Sequence, residues 1–183
     1  MEMKHADKSQ LYLAFLDMEK AYDSIPHQKL WGKLSETQVG AKFIDIIKGL
    51  YTDCTAVYNL HDLNSKEIKL TVGLKQGCPL SPTLFNIYMN NLLKTLDEEG
   101  PGLRLSTTTT EGKEVYTKIS SLAFADDIVL MAESEADLQH LLDICTRVAR
   151  EDKLTFNQAK TNWMGLNVDA TVSHTFLLQG KKI

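Results

Sequence analysis

Phe124-Ala125-Asp126-Asp127 decides how the rest of this chain is read. Two apolar runs, Ile119 to Ala123 and Ile128 to Ala132, flank it. The pattern predicts two β-strands joined by a tight turn, with two carboxylates at its tip. Adjacent carboxylates repel each other unless a cation shares them, and an all-oxygen pair suits a hard ion such as Mg²⁺. Asp is also a common turn residue, so the same four residues alone describe an acidic surface turn better, and the rest of the chain reverses that reading.

A third acid stands far away in sequence. Leu11 to Leu16 is a nearly unbroken apolar run ending at Asp17, which reads as a buried central strand with a carboxylate at its C-terminal end. If the strands are neighbours in one sheet, Asp17, Asp126 and Asp127 converge at one edge. Two divalent ions held there could deprotonate a hydroxyl and stabilise a leaving pyrophosphate.

The other elements follow from periodicity and punctuation. Ser24-Ile25-Pro26 predicts a helix start, followed by Leu30, Trp31 and Leu34 at helical spacing. Gly40 separates this from a helix carrying Phe43, Ile44, Ile47, Leu50 and Tyr51. Thr55 to Leu60 and Glu67 to Val72 read as a hairpin with His61 to Ser65 as its polar tip. A loop from Gly73 to Pro79 leads to Ser81-Pro82, an N-cap and first-turn pair, and the helix it opens stops at Gly100-Pro101. Thr107 to Lys113 reads as a polar loop. Ser134-Glu135-Ala136-Asp137 caps a further helix bearing Leu138, Leu141, Leu142, Cys145 and Val148. Leu154 to Phe156 and Asn162 to Leu166 read as short strands. Without regular βαβ alternation, the expected class is α+β, an antiparallel sheet with helices on one face.

Bulk properties narrow the function. The 183 residues are 43% hydrophobic and 24% charged, which fits one globular domain with a real core. A net charge of −4 argues against a strong nonspecific grip on nucleic acid but leaves an acidic metal site open. Cys54, Cys78 and Cys145 are too widely spaced for a metal pair, and an intracellular setting, nuclear or cytoplasmic, is expected. The polar Met1-Glu2-Met3-Lys4-His5 does not resemble a signal peptide, and no apolar run reaches membrane-spanning length.

Taken together, these segments resemble the palm domain of reverse transcriptases, in particular those of non-LTR (LINE-type) retrotransposons. Phe15-Leu16-Asp17-Met18-Glu19-Lys20-Ala21-Tyr22-Asp23, with Pro26-His27 after it, is similar to the family's motif A. Gly73-Leu74-Lys75-Gln76-Gly77-Cys78-Pro79-Leu80-Ser81-Pro82 is similar to motif B, Phe124 to Asp127 to motif C, and Asn157-Gln158-Ala159-Lys160-Thr161 to motif D. Phe176 to Ile183 faintly resembles the primer-grip motif E, with Gly180 and Ile183 matching and Leu178 and Gln179 departing from it.

The resemblance implies a polymerase palm with a ferredoxin-like core across residues 1–183 and two-metal addition of dNTPs to a primer 3′-hydroxyl on an RNA template. It implies Asp17 and Asp126 as principal ligands of two Mg²⁺ ions, with Mn²⁺ as the alternative, and Asp127 as a weaker ligand. The Met18 and Glu19 backbone would lie near the triphosphate. Tyr22 would be an aromatic gate excluding a 2′-hydroxyl. Gln76 and Gly77 would form the nucleotide-binding turn, and Lys160 would protonate leaving pyrophosphate. The family's fingers and thumb are expected to be missing, so the chain alone is expected to polymerise weakly or not at all. The alternatives are a non-catalytic palm remnant serving as a binding or assembly module, and an RNA-making polymerase or nucleotide cyclase. Tyr22 and the Gln76-Gly77 turn disfavour the last two.

Overall fold

The computed structural model describes residues 9–61, 63–108, 110–169 and 171–183. Met1 to His5, and Asp62 and Thr109 within the two predicted loops, lie outside the described residues. In chain order the elements are β1 (Leu11–Leu16), α1 (His27–Ser35), α2 (Ala41–Tyr51), β2 (Thr55–Ala56), β3 (Asn59–Leu60), β4 (Leu63–Asn64), β5 (Ile68–Lys69), α3 (Ser81–Glu99), β6 (Leu103–Thr108), β7 (Glu114–Ile119), β8 (Ser121–Phe124), β9 (Asp127–Ala132), α4 (Glu135–Asp152), β10 (Asn162–Leu166), β11 (Leu177–Leu178) and β12 (Lys181–Lys182). They form two compact units: Lys20–Tyr88, and the residues up to Glu19 together with Met89–Ile183. Among the described residues no helix is long and apolar enough to cross a membrane.

The larger unit is built on an antiparallel sheet in the order β10-β1-β9-β8. The pairing of Ala14 with Leu130 and of Leu16 with Ile128 puts these four on one face, and all are buried. Helix α4 packs against β1 and β9. Its start is capped as the sequence predicts: the Asp137 N–H donates to the Ser134 hydroxyl at 3.1 Å. The C-terminal half of α3 runs antiparallel to α4. The Asn91 amide donates to Asp152 Oδ2 at 3.1 Å, and Glu99 pairs with Arg147. Burial pushes the Cys145 thiol on α4 upward, so it stays protonated and inert.

The other face of the sheet is covered over only part of its area. Leu11, Leu13 and Met131 cluster with Leu103, supported by Leu105, Ile119, Val129 and Leu166. Leu103, Leu105 and Ile119 belong to the β6–β7 hairpin, which the sequence reading did not anticipate. Thr107 and Thr108, expected in a polar loop, are strand residues paired with Val115 and Glu114. Threonine is polar but β-branched, and a half-buried pleated surface accepts it. Lys118 on β7 ties the hairpin to α3: its ammonium donates to the carbonyls of Asp97 at 2.5 Å and Gly100 at 2.9 Å, where cationic charge complements a helix C-terminus.

In the smaller unit, α1 and α2 pack through a ring cluster. The His27 and Tyr51 centroids are 5.0 Å apart and those of Trp31 and Tyr51 5.6 Å. Ser24 does not cap α1. Its hydroxyl donates to the Ala21 carbonyl, and Pro26 occupies the cap position without a side-chain bond. The predicted hairpin between residues 55 and 72 is present but broken into two short ladders, β2–β5 and β3–β4, with Leu63 and Asn64 paired rather than in the tip. In the larger unit Leu154 to Phe156 forms no named strand, only a bridge from Phe156 to Met18.

Gly102 marks a tight backbone approach in the larger unit. A Cβ there would lie 2.7 Å from the Ile119 carbonyl oxygen and 2.8 Å from its carbon. Gly102→Ala is expected to destabilise the chain by about 1–3 kcal/mol, read as a lower denaturant midpoint at unchanged slope.

Candidate active site

The site begins where β1 ends. Its ladder with β9 runs to Leu16 opposite Ile128, so one further step sets Asp17 across from Asp127. Side chains alternate along a strand. Asp17 and Asp127 therefore share the sheet face of Phe15 and Val129, opposite the buried face of Leu16 and Ile128. At this end the face is open: Phe15, Leu122 and Phe124 are 39%, 59% and 84% exposed.

The double-acid hairpin differs in detail from the expectation that both carboxylates sit at its tip. Phe124 pairs with Asp127, leaving Ala125-Asp126 as the two-residue turn. Asp126 is at the tip and half-buried, whereas Asp127 is the exposed first residue of β9. Ala125 takes φ 55°, a conformation that a two-residue hairpin turn imposes and that glycine adopts most easily.

Asp17 is held by the segment after α4. The Asn157 N–H donates to its carbonyl at 2.8 Å, and its own N–H reaches the buried Thr161 hydroxyl at 3.5 Å. Asn157 also shapes the motif D turn, accepting from the N–H groups of Lys160 at 3.2 Å and Thr161 at 2.9 Å. This places Lys160 Nζ 3.5 Å from Asp17 Oδ2, with the lysine side chain 67% exposed and the aspartate 21%. Such an exposed pair is screened and weak. Asp17 Oδ2, the oxygen nearest that ammonium, is buried and makes no hydrogen bond. The donors that Asp17, Asp126 and Asp127 offer are all carboxylate oxygens, the type a hard divalent ion takes. Among the described residues, no group of three His, Cys, Asp or Glu side chains is gathered closely enough to hold one.

The backbone beside Asp17 is oriented as well. Met18 faces Phe156 as a pair whose two bonds come from its neighbours, Glu19 N–H to the Thr155 carbonyl at 2.9 Å and Asn157 N–H to the Asp17 carbonyl. Met18's own N–H and C=O therefore turn to the opposite strand edge, the edge along which β1 pairs with β9.

In the unit Lys20–Tyr88, the remaining predicted residues gather around the motif B loop. The Tyr22 ring stacks on buried Phe85 with centroids 4.9 Å apart and planes within 8°. The Tyr22 carbonyl accepts from Leu74 at 2.8 Å, and the Gly73 N–H donates to the Ile25 carbonyl at 2.9 Å. Gly73 has φ 95°, and a Cβ there would lie 3.2 Å from the Asp23 carbonyl oxygen. The Gln76 amide donates to Asp23 Oδ1 at 3.0 Å, and both Gln76 and Gly77 are exposed. Ser81 is not an N-cap: its hydroxyl donates to the Lys75 carbonyl at 2.7 Å and closes the loop from behind. His27 Nε2 lies 2.8 Å from the Gly73 carbonyl. Asp23, His27, Asn157 and Thr161 are thus supports that sequence reasoning did not single out. All four lie within the quoted motif A and motif D stretches, which carried no supporting role for them.

A carboxylate-ended strand beside a double-acid hairpin, in an antiparallel sheet with helices on one face, is the frame of a polymerase palm. The sequence profile described as "Reverse transcriptase (RNA-dependent DNA polymerase)" matches residues 1–177, and the chain belongs to that family. It is 36% identical over 143 residues to the retrovirus-related Pol polyprotein from the type-2 retrotransposable element R2DM of Drosophila melanogaster, covering 77% of this chain and 13% of that protein. It is 29% identical over 160 residues to the transposon TX1 uncharacterized 149 kDa protein of Xenopus laevis, covering 86% of this chain and 11% of that one. The chain therefore spans a small fraction of the length of these relatives. Among solved structures, apo telomerase from Candida tropicalis, truncated from its C-terminal domain, superimposes with a TM-score of 0.63 at 15% identity, over 99% of this chain and 38% of that one. The same organism's telomerase in complex with a fragment of telomeric RNA gives 0.64 at 14% identity, over 100% and 32%. At these identities the likeness establishes the fold.

The turn at Ala125 carries a test of its own. A left-handed L-residue costs about 1–2 kcal/mol, partly offset by the lower unfolded-state entropy of alanine relative to glycine. Ala125→Gly is expected to raise stability by up to about 1 kcal/mol, seen as a higher thermal midpoint.

Proposed function

We propose that this chain is the catalytic palm of an RNA-directed DNA polymerase that adds dNTPs to a primer 3′-hydroxyl on an RNA template. The observation that carries the reading is the β1–β9 register, which brings Asp17 to the double-acid hairpin. Asp17 and Asp126 are the principal ligands for two divalent ions, Mg²⁺ or Mn²⁺, with Asp127 secondary and the outward-turned Met18 carbonyl alongside. Ions bound there would acidify the primer hydroxyl and neutralise charge on the departing pyrophosphate.

In the transfer, the 3′-hydroxyl releases its proton to water as the bond from the 3′-oxygen to the α-phosphorus forms and the bond to pyrophosphate breaks. The chain's carboxylates hold the reacting groups in line. Lys160, paired with Asp17, keeps its ammonium at the site and gives a proton to pyrophosphate. Tyr22, its ring laid flat on Phe85, forms a wall under the incoming sugar that leaves no room for a 2′-hydroxyl. Gln76 and Gly77, exposed on the loop closed by Ser81, contact the nucleotide. The matches to Pol polyproteins of retrotransposable elements, and to a telomerase fold seen with telomeric RNA, support an RNA template. Three free cysteines support a reducing setting, nuclear or cytoplasmic.

One observation favours a second reading, a non-catalytic binding module: the absence of a gathered three-ligand cluster among the described residues. Magnesium titration separates the two. Heat stabilisation by millimolar Mg²⁺ that disappears in Asp17→Asn is expected of a working site, and no Mg²⁺ response in the parent chain favours the module.

In the complete polypeptide, Asp126→Asn is expected to lower primer extension by at least about a hundredfold while leaving the thermal midpoint nearly unchanged. Retained extension would remove the site. Tyr22→Val is expected to lower the preference for dNTP over NTP by about tenfold or more, measured as the ratio of kcat/KM values.

A further inference from the structure

Gln179 is where the C-terminal segment departs from the motif it faintly resembles, and the departure has a use. β11 and β12 form a hairpin whose turn is Gln179-Gly180, with φ 50° and 77°. Phe176 and Leu178 are fully buried, and the Gln179 N–H donates to the Thr146 hydroxyl of α4 at 3.0 Å, so the hairpin is seated on that helix. The Gln179 side chain then reaches the segment that holds Asp17. Its Oε1 accepts from the Phe156 N–H at 3.1 Å, and its Nε2 donates to the Leu154 carbonyl at 3.0 Å.

These two bonds sit on one edge of an extended stretch. Thr155 and Asn157 make theirs on the other edge, with Glu19 and Asp17. Polar groups alternate between the edges of a strand, so residues 154–157 are clamped from both sides. One side is the backbone of β1's continuation. The other is a single carboxamide, which supplies the donor and acceptor that a residue of a neighbouring strand would. A leucine at position 179 could supply neither, leaving the Phe156 N–H and the Leu154 carbonyl without these partners. Gln158 adds a second strut, donating to the Leu178 carbonyl at 3.2 Å.

We infer that Gln179 is a positioning residue for Asp17: its carboxamide, acting through residues 154–157, locks the C-terminal hairpin to the strand end that carries the carboxylate. Hairpin and carboxylate then move as one body, and the segment after α4 cannot drift from β1 without breaking the clamp. The consequence for metal rests on the polymerase reading. The mechanical link does not.

The test uses the whole chain and two variants. Gln179→Glu keeps the shape and the acceptor for Phe156 but cannot donate to Leu154, while Gln179→Leu removes both bonds. Amide hydrogen exchange and Mg²⁺ titration by thermal midpoint are measured on each. Exchange is expected to quicken at Asn157 and Glu19, across the stretch from the mutation, by about tenfold or more in Gln179→Leu and less in Gln179→Glu. The Mg²⁺ concentration for half-maximal stabilisation is expected to rise by about threefold or more.

A residue that only anchors the hairpin would quicken exchange at Phe156 and residues 177–182 alone. That pattern, or an unchanged Mg²⁺ midpoint beside faster exchange at Asn157, overturns the positioning role. If Gln179→Leu does not fold, Gln179→Glu decides by the same criteria. Asp17→Asn is run alongside. If it leaves the Mg²⁺ response of the parent chain intact, the metal reading fails, and exchange at Asn157 still decides the clamp.

Discussion

The antiparallel pairing of β1 with β9 is the constraint on which the rest of the site depends. Ala14, Leu16, Ile128 and Leu130 are buried together on one face, and a slip of one residue would turn all of them outward. Their burial therefore sets the parity of the next position as well. Asp17 and Asp127 must stand on the opposite face. Hydrophobic packing on the helix side thus aims carboxylates on the other side, with no direct interaction between the acids required to do it.

That opposite face is divided along its length. One end is covered by the β6–β7 hairpin through Leu103, Leu105 and Ile119, and the other is left to Phe15, Leu122 and Phe124 with the carboxylates beside them. The exposed Lys160 stands 3.5 Å from Asp17 Oδ2, and that buried oxygen makes no hydrogen bond. The backbone carries more of the order. Asn157, Thr155 and Thr161 fix the main chain from Asp17 to Glu19, so the strand end is rigid where its side chain is not fully satisfied.

Strong periodicity made much of the fold legible. β1, α2, α4 with its Ser134 cap, and the double-acid hairpin all stand where the residues predict. The failures share a cause. Ser24 and Ser81 have the composition of caps, yet their hydroxyls bond to Ala21 and Lys75, because nearby carbonyls compete for them once the loops are folded. The threonines before residue 109 read as loop because they are polar, but the hydrophobic cluster under Leu103 and Leu105 recruits them into a strand. Of the site, the acids were visible as words. The supporting role of Asn157, Thr161 and Gln179 was not, since an Asn, a Thr or a Gln shows no such role until a partner distant in sequence is beside it.

By itself, then, the order of residues determined the strand that ends in Asp17, the turn that carries Asp126, and the family to which the chain belongs, because these are written in local alternation and in motif words. Only the tertiary structure decided that the strand ending at Asp17 pairs with the strand opening at Asp127, that Lys160 Nζ stands 3.5 Å from Asp17, and that a glutamine of the C-terminal hairpin bonds the segment beside Asp17. Those relations join residues tens of positions or more apart. Register and hydrogen bonding across strands bring such residues together, and no local pattern encodes them.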